Sequence, residues 1–325
     1  MKKTVALVLV LLMAAGAAVN LFAGGGRQDD QIMVGYAVMR MVDEYWGNQI
    51  KGMQAANAAN GSKFRLEIAD SNNDGQICLE NALSLLSRGA RVLMVSSPDP
   101  RIGPAIMERA NALKVPVITS DVYIEGTYFL THDEVKAGEL VGDFAGQYFL
   151  DHFAGQKAKV AVLTHAAVAA QVDQRINGFK AAFSKKVPDA VYLPAQDAEG
   201  LREKGANLMA DIITANPDVN IVFSVNDDIA LGAASSIEAR GLSGRVASFG
   251  QGGIGEAAFQ ALLDPKSPYK GTAAFMPFGH GEAAVTEFIL PLLEGKTPAQ
   301  TVYSPLETAS AANAQKFLDD MAKNQ

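Results

Sequence analysis

Residues Arg245–Gln260 read RVASFGQGGIGEAAFQ. An apolar run gives way to glycines and then to apolar residues at helical spacing, so the stretch reads as a strand, a glycine turn and the start of a helix. Gly250, Gly252 and Gly255 fall in a G-x-G-x-x-G spacing. In a dinucleotide site that spacing opens the fold, and an acidic residue about 20 positions on closes the next strand. Here the stretch comes late, and the following strand, GTAAFMP, ends in Phe275, Met276 and Pro277. NAD is therefore not expected. The glycines allow a tight turn, and the N–H groups at the helix start can donate to a neutral ligand.

Outward from this unit the same grammar repeats. The expected strands are QIMVGYAV (31–38), FRLEIAD (64–70), ARVLMVSS (90–97), VPVITSD (115–121), TYFLTHD (127–133), AKVAVLT (158–164), AVYLPAQ (190–196), NIVFSVND (220–227), RVASFGQ (245–251) and GTAAFMP (271–277). Helix-period segments separate them. In EYWGNQIKGMQAAN (44–57), Trp46, Ile50 and Met53 share a face, and CLENALSLLSRG (78–89) closes on Gly89. Repeated βαβ units give an α/β fold with parallel sheets flanked by helices. There are too many strands for one small sheet, and THDEV (131–135), after which the grammar restarts, is the expected crossing between two lobes.

The chain has 325 residues, 49% hydrophobic and 19% charged, with formal net charge −7. It begins MKKTVALVLVLLMAAGAAVNLFAGGG, in which Lys2 and Lys3 precede a short apolar run and small residues. This has the form of a secretory signal peptide cleaved near Ala23, leaving a 24–30 linker and a charge of −9 after two lysines are lost. Export to the periplasm is expected, and an acidic exported protein is a poor partner for nucleic acid. The lone Cys78, in an apolar-periodic stretch, reads as a small buried residue.

Six expected strands close on polar groups: Asp70, Asp99, Asp121, His132 with Asp133, Asn226 with Asp227, and Gln251. Open parallel sheets bind ligands outside the carboxyl ends of their strands, so these groups point to a crevice. The competing role is capping of the following helix, expected above all of Asp133 and Asp227. Chemistry-bearing motifs are sparse. The histidines 132, 152, 165 and 280 lack metal-ligand spacing, no cysteine pair exists, and neither a G-x-S-x-G elbow nor a P-loop occurs. No metal, cofactor or catalytic residue is expected.

The segments VGYAVMRMVDEYWGNQIKGMQAA, LSRGARVLMVSSPD, KVPVITSD, QRINGFKAAF, NPDVNIVFSVNDDIALGA, VASFGQ and LLEGK, in this order, resemble type I periplasmic binding proteins of the ribose and galactose type. The resemblance implies two Rossmann-like lobes joined by three crossing strands, with residues 31–131 and 277–305 in one lobe and 132–276 and 306–325 in the other. It implies a monomer that closes by hinge motion over a monosaccharide or related polyol and delivers it to an ABC importer, with a chemoreceptor as a further conceivable partner. A nucleoside, a furanosyl signal molecule or an amino acid is the alternative ligand. The sensor half of bacterial repressors shares the fold but wants an N-terminal helix-turn-helix, and an exported enzyme is the third reading.

Carried over residue by residue, the resemblance gives Tyr45 and Trp46 as ring-contacting aromatics after Asp43 and Met39. It makes Asp121 an acceptor for sugar hydroxyls, Arg175 a planar donor and Asn226 an amide contact, with Gln251 and His132 as substitutes. Burying Asp121 and Arg175 together is expected to require that ligand or each other satisfy them. Three positions depart from the ribose-type pattern: Val122 stands for an arginine, Gly250 for an aspartate and Phe275 for a glutamine. The implied ligand has fewer hydroxyls or a differently oriented ring.

Overall fold

The computed structural model describes residues 31–42 and 44–323. The expected signal peptide, the linker and Asp43 lie outside the described residues.

The first sheet is built around β1 (Ile32–Val38), which is buried at every position after the first. An apolar run buried on both faces is what a central parallel strand requires. On one side it pairs with β2 (Phe64–Asp70) and on the other with β3 (Val92–Val95), Tyr36 lying opposite Ile68 and Met94. Next come β4 (Val117–Ser120), β5 (Tyr128–Thr131) and β12 (Thr301–Tyr303), in the order β12-β5-β4-β3-β1-β2 with parallel pairings. Helices α1 (Glu44–Ala59), α2 (Gly75–Ser87) and α3 (Gly103–Leu113) make the crossovers. Asp74 caps α2 with bonds from the N–H groups of Gln76 and Ile77.

The second sheet runs β13-β11-β10-β9-β6-β7, with β8 beside β6. Its strands are β6 (Lys159–Thr164), β7 (Val191–Tyr192), β8 (Gln196–Asp197), β9 (Ile221–Ser224), β10 (Ala247–Gly252), β11 (Tyr269–Ala274) and β13 (Glu307–Ser310). All pairings are parallel except β11 with β13. Around it lie α4 (Glu134–His152), α5 (Ala169–Lys186), α6 (Arg202–Ala215), α7 (Asp227–Ala239) and α8 (Glu256–Leu263). Late in the chain α9 (Pro277–Ala283) continues through a π turn at Ala284–Ile289 into α10 (Leu290–Leu293), and α11 (Ala314–Lys323) follows β13. Each sheet is covered by apolar side chains on both faces. Among the described residues no helix is long and apolar enough to cross a membrane.

Three segments carry the chain between the sheets: 132–133 after β5, 275–276 after β11 and 304–306 after β12. The expected strand AVYLPAQ divides into β7 and β8 around Pro194, which has no N–H for the ladder. The short strands β12 and β13 carry too little alternation to have been read from sequence.

In the Arg245–Gln260 stretch the strand persists through Gly250 to Gly252, so the turn falls later than the glycine spacing suggests. It is made by Gly252 (φ +133°) and Gly253 (φ +54°), conformations that favour glycine, and α8 starts at Glu256. Gly250 is required for a different reason. A Cβ there would strike the Asp227 carboxylate and come to 2.9 Å from the Tyr269 hydroxyl.

The tightest packing in the first lobe is between α1 and α9. A Cβ on Gly52 would overlap the carbonyl oxygen of Phe278, and one on Gly281 that of Gln49. Backbone approach at both glycines fixes Tyr45 and Gln49 on one helix relative to His280 on the other.

Candidate functional site

The site begins where β4 stops. Asp121 adopts φ +64°, a left-handed conformation that Asp tolerates better than most residues but at a cost of roughly 1 kcal/mol. Its N–H donates to Leu130 O at 3.0 Å, and the turned backbone sets the carboxylate at the mouth of the sheet. The Tyr45 hydroxyl donates to Oδ1 at 3.0 Å and the Ser120 hydroxyl to Oδ2 at 2.7 Å. The side chain remains 20% exposed.

From there a ring of contacts returns to its start. The Tyr45 hydroxyl lies 2.8 Å from His132 Nε2, His132 Nδ1 lies 2.7 Å from Ser304 Oγ, and Ser304 Oγ lies 2.9 Å from His280 Nδ1. His280 Nε2 is 2.9 Å from Ser120 Oγ, which leads back to Asp121. Behind the ring, Gln49 Nε2 donates to Ser120 Oγ at 2.9 Å, and its Oε1 accepts from the Tyr36 hydroxyl, which also meets Ser96 Oγ at 2.8 Å. Because His132 and Ser304 occupy two of the three crossing segments, the network ties those crossings to the end of β4. Both histidines are buried, and burial, the first cause in each case, pushes their pKa below the usual value. The neighbouring imidazole and the Arg175 charge push His132 further the same way, while Asp121 pulls His280 back up. Tyr45 is held protonated well above its usual range by burial and then by the Asp121 charge and hydrogen bond.

The second lobe approaches the same place. Phe275, on the middle crossing, stacks on His132 with centroids 4.3 Å apart, and the Arg175 guanidinium lies 5.0 Å above the Phe275 ring. Gln171, on the first turn of α5, reaches Asp121 O with its Nε2 at 3.4 Å. Arg175 is satisfied neither by Asp121 nor by a ligand, the two alternatives expected, but by a third group. Its Nε and Nη2 donate to both oxygens of Glu134, and its Nη1 donates to Val225 O at 2.8 Å. Glu134 was missed because a residue in the first turn of a helix reads as a favourable dipole charge.

Tyr45, Asp121, His132, Arg175 and Phe275 thus form one connected cluster. Trp46 faces away from it: it is 7% exposed, packs in the first-lobe core with Ile50 and Met53, and meets Tyr45 edge-on at 4.8 Å. The helical spacing that placed it with Ile50 and Met53 was the correct signal. Met39, at the end of β1, is half-buried and accepts from Asn73 N–H.

The helix cap expected of Asp227 is made by Asn226 instead. Asn226 caps α7, its Oδ1 accepting from Ile229 N–H at 2.8 Å while Nδ2 donates to Gly200 O at 3.3 Å. Asp227 is no cap. Its carboxylate points back under β10 and accepts from the Tyr269 and Thr272 hydroxyls at 2.6 and 2.7 Å and from Gly253 N–H. Burial raises its pKa, and those three bonds lower it. Gln251 is fully buried and neither of its amide atoms has a hydrogen-bond partner. With Asn226, Asp227 and Gly252 it lines a cavity of about 250 Å³. His280, Ser120 and Ser304 were not foreseen as site residues, since long stretches of chain separate them from the groups they touch.

Residues 34–296 match the family model described as periplasmic binding protein domain. The chain is 32% identical over 181 residues to the ribose import binding protein of Salmonella typhimurium, an alignment that covers 55% of this chain and 59% of that protein. It is 28% identical over 280 residues to the ribose import binding protein of Bacillus subtilis, covering 85% and 87%. An ABC transporter periplasmic solute binding protein from Actinobacillus succinogenes, solved with bound D-allose, superposes with TM-score 0.74 at 20% identity, covering 88% of this chain and all of that one. Two parallel-sheet lobes, three crossings and a family match over most of the described residues lead to one assignment: the chain belongs to the periplasmic binding protein domain family.

Proposed function

We propose that this protein captures a monosaccharide or related polyol between its two lobes and delivers it to an ABC importer, without chemistry of its own. The observation that carries the reading is Asp121. A partly exposed carboxylate stands at the carboxyl end of a parallel strand, in a strained backbone, and a glutamine of the other lobe reaches its carbonyl oxygen. Carboxylates in such a place accept from adjacent hydroxyls, and an aromatic ring such as that of Tyr45 suits the C–H face of a sugar.

Residues 31–131 with 277–305 and residues 132–276 with 306–325 act as the closing lobes, hinged at the three crossings. Asp43, Tyr45, Asp121, His132, Arg175, Asn226, Gln251 and Phe275 are the proposed contacts, with Trp46 acting as support beneath Tyr45. The protein works as an exported periplasmic monomer cleaved near Ala23. The names of the ribose-binding relatives support the ligand class, and Val122, Gly250 and Phe275 argue for fewer polar contacts than ribose would use. Mass spectrometry of ligand released from gently purified protein, followed by calorimetry with pentoses, hexoses and polyols, tests the reading. A released sugar that rebinds, and rebinds at least tenfold more weakly to Asp121→Asn, is the expected result. A panel without binding, or an amino acid or nucleoside in the released fraction, overturns it.

A further inference from the structure

We propose that Asp121, His132 and His280 form a site for a divalent transition-metal ion of the zinc class. One ligand atom from each lies within 4.8 Å of the others. His132 Nε2 is 3.7 Å from Asp121 Oδ1, and His280 Nε2 is 3.7 Å from Asp121 Oδ2, so the two imidazoles address the two oxygens of one carboxylate. In a tetrahedral site with bonds of about 2.0–2.1 Å the ligand atoms stand roughly 3.3 Å apart, so the two 3.7 Å separations close by a few tenths of an ångström and the widest separation, up to 4.8 Å, by up to about 1.5 Å.

The proton count of the ring points the same way. Its six contacts join Tyr45 to His132, His132 to Ser304, Ser304 to His280, His280 to Ser120, Ser120 to Asp121 and Asp121 to Tyr45. Each contact needs one proton. With neutral imidazoles, three hydroxyls and two ring N–H groups supply five. A cation on the two Nε2 atoms and the carboxylate removes the shortfall. Both Nδ1–H groups then donate to Ser304 Oγ, whose own hydroxyl turns to Thr131 O at 3.2 Å. That is the outer-shell arrangement that fixes the tautomer of metal-binding histidines. Two imidazoles select a borderline transition metal over calcium or magnesium, which take oxygen ligands. The Tyr45 hydroxyl lies beside the three ligands, 2.8 Å from His132 Nε2 and 3.0 Å from Asp121 Oδ1.

The site shares Asp121 and His132 with the proposed sugar contacts, so it is tested without sugar. Untagged protein is stripped with a chelator, titrated with zinc chloride by equilibrium dialysis and calorimetry, and loaded with cobalt for its visible spectrum. One equivalent of zinc is expected, together with cobalt bands of a nitrogen- and oxygen-ligated ion. His132→Gln, His280→Gln and Asp121→Asn should each weaken zinc binding by at least about tenfold and bleach the cobalt bands. The double variant His152→Gln/His165→Gln should bind like the parent. Circular dichroism of the metal-free variants checks that each is folded, and the Asp121→Asn arm decides if a histidine variant is not. No zinc uptake by the parent, or uptake that survives all three ligand substitutions, overturns the site. Loss of binding in the double variant assigns the metal to the surface histidines and overturns it equally.

Discussion

Arg175 and Glu134 are joined at two points, Nε to Oε2 at 2.7 Å and Nη2 to Oε1 at 2.8 Å, with the side chains only 14% and 13% exposed. Such a pair holds the guanidinium over Phe275 while leaving one edge for Val225 O. Removing one partner of a buried pair strands the other charge. Arg175→Ala should therefore lower stability in the absence of any ligand by about 3 kcal/mol, read as a shift of the urea midpoint. Glu134→Gln, which retains one acceptor, should lose less. An Arg175→Ala protein as stable as the parent would show that Glu134 is solvated after all.

The two buried histidines give the protein a pH-dependent stability of predictable sign. Their native pKa values are lowered, so the unfolded chain binds more protons than the folded one between those values and about 6.5. The stabilisation of the neutral rings is present above about pH 6.5 and is lost as pH falls below it, by up to about 1.4 kcal/mol per pH unit for each ring. Asp227, whose pKa is raised, contributes with the opposite sign, beginning at the usual carboxylate range. Urea unfolding from pH 7.5 to 5 in the presence of chelator should show a falling midpoint, with a shallower fall in His280→Gln. An equal slope in both proteins would mean that His280 binds protons alike in the folded and unfolded chains.

The lobe architecture was readable because β1 and α1 carry long, unambiguous patterns, a continuous apolar run and the Trp46, Ile50, Met53 face. Asp121 was readable as a polar residue at an abrupt strand end. What escaped was everything decided by distant pairing. His280 and Ser304 complete the ring from segments with no pattern of their own, and Glu134 captures Arg175 across 41 positions. That Asn226 and not Asp227 caps the helix had no local signal either. The carboxylate is drawn inward by Tyr269 and Thr272 of β11, and the space it takes is vacated by having glycine at position 250.

The crossing of α1 and α9 admits no side chain at Gly281, whose Cβ would overlap Gln49 O, whereas Gly279 two residues earlier faces open space. Overpacking at a rigid contact costs about 1–3 kcal/mol or forces the helices apart. Gly281→Ala should lower the melting temperature by several degrees and, by shifting Tyr45 from Asp121, weaken ligand binding as well. Gly279→Ala should leave the melting temperature within a degree or two. Similar melting curves for both variants would contradict the clamp.

Gln251 offers the sharpest separation of folding from binding. Its amide is buried with neither atom hydrogen-bonded. An unsatisfied buried amide is destabilising by about 1–3 kcal/mol, so replacement by an apolar residue of similar length removes a cost. Gln251→Met should raise the stability of ligand-free protein by about 1 kcal/mol. If the amide is retained because a ligand satisfies it, the same substitution should weaken binding by about tenfold, since the ligand group that it met is left without a partner. The two measurements, urea unfolding without ligand and calorimetry with the released ligand, are independent. Greater stability with unchanged affinity would remove Gln251 from the binding site and leave it a buried polar residue of the second lobe. Lower stability without ligand would show that the amide is satisfied inside the folded protein.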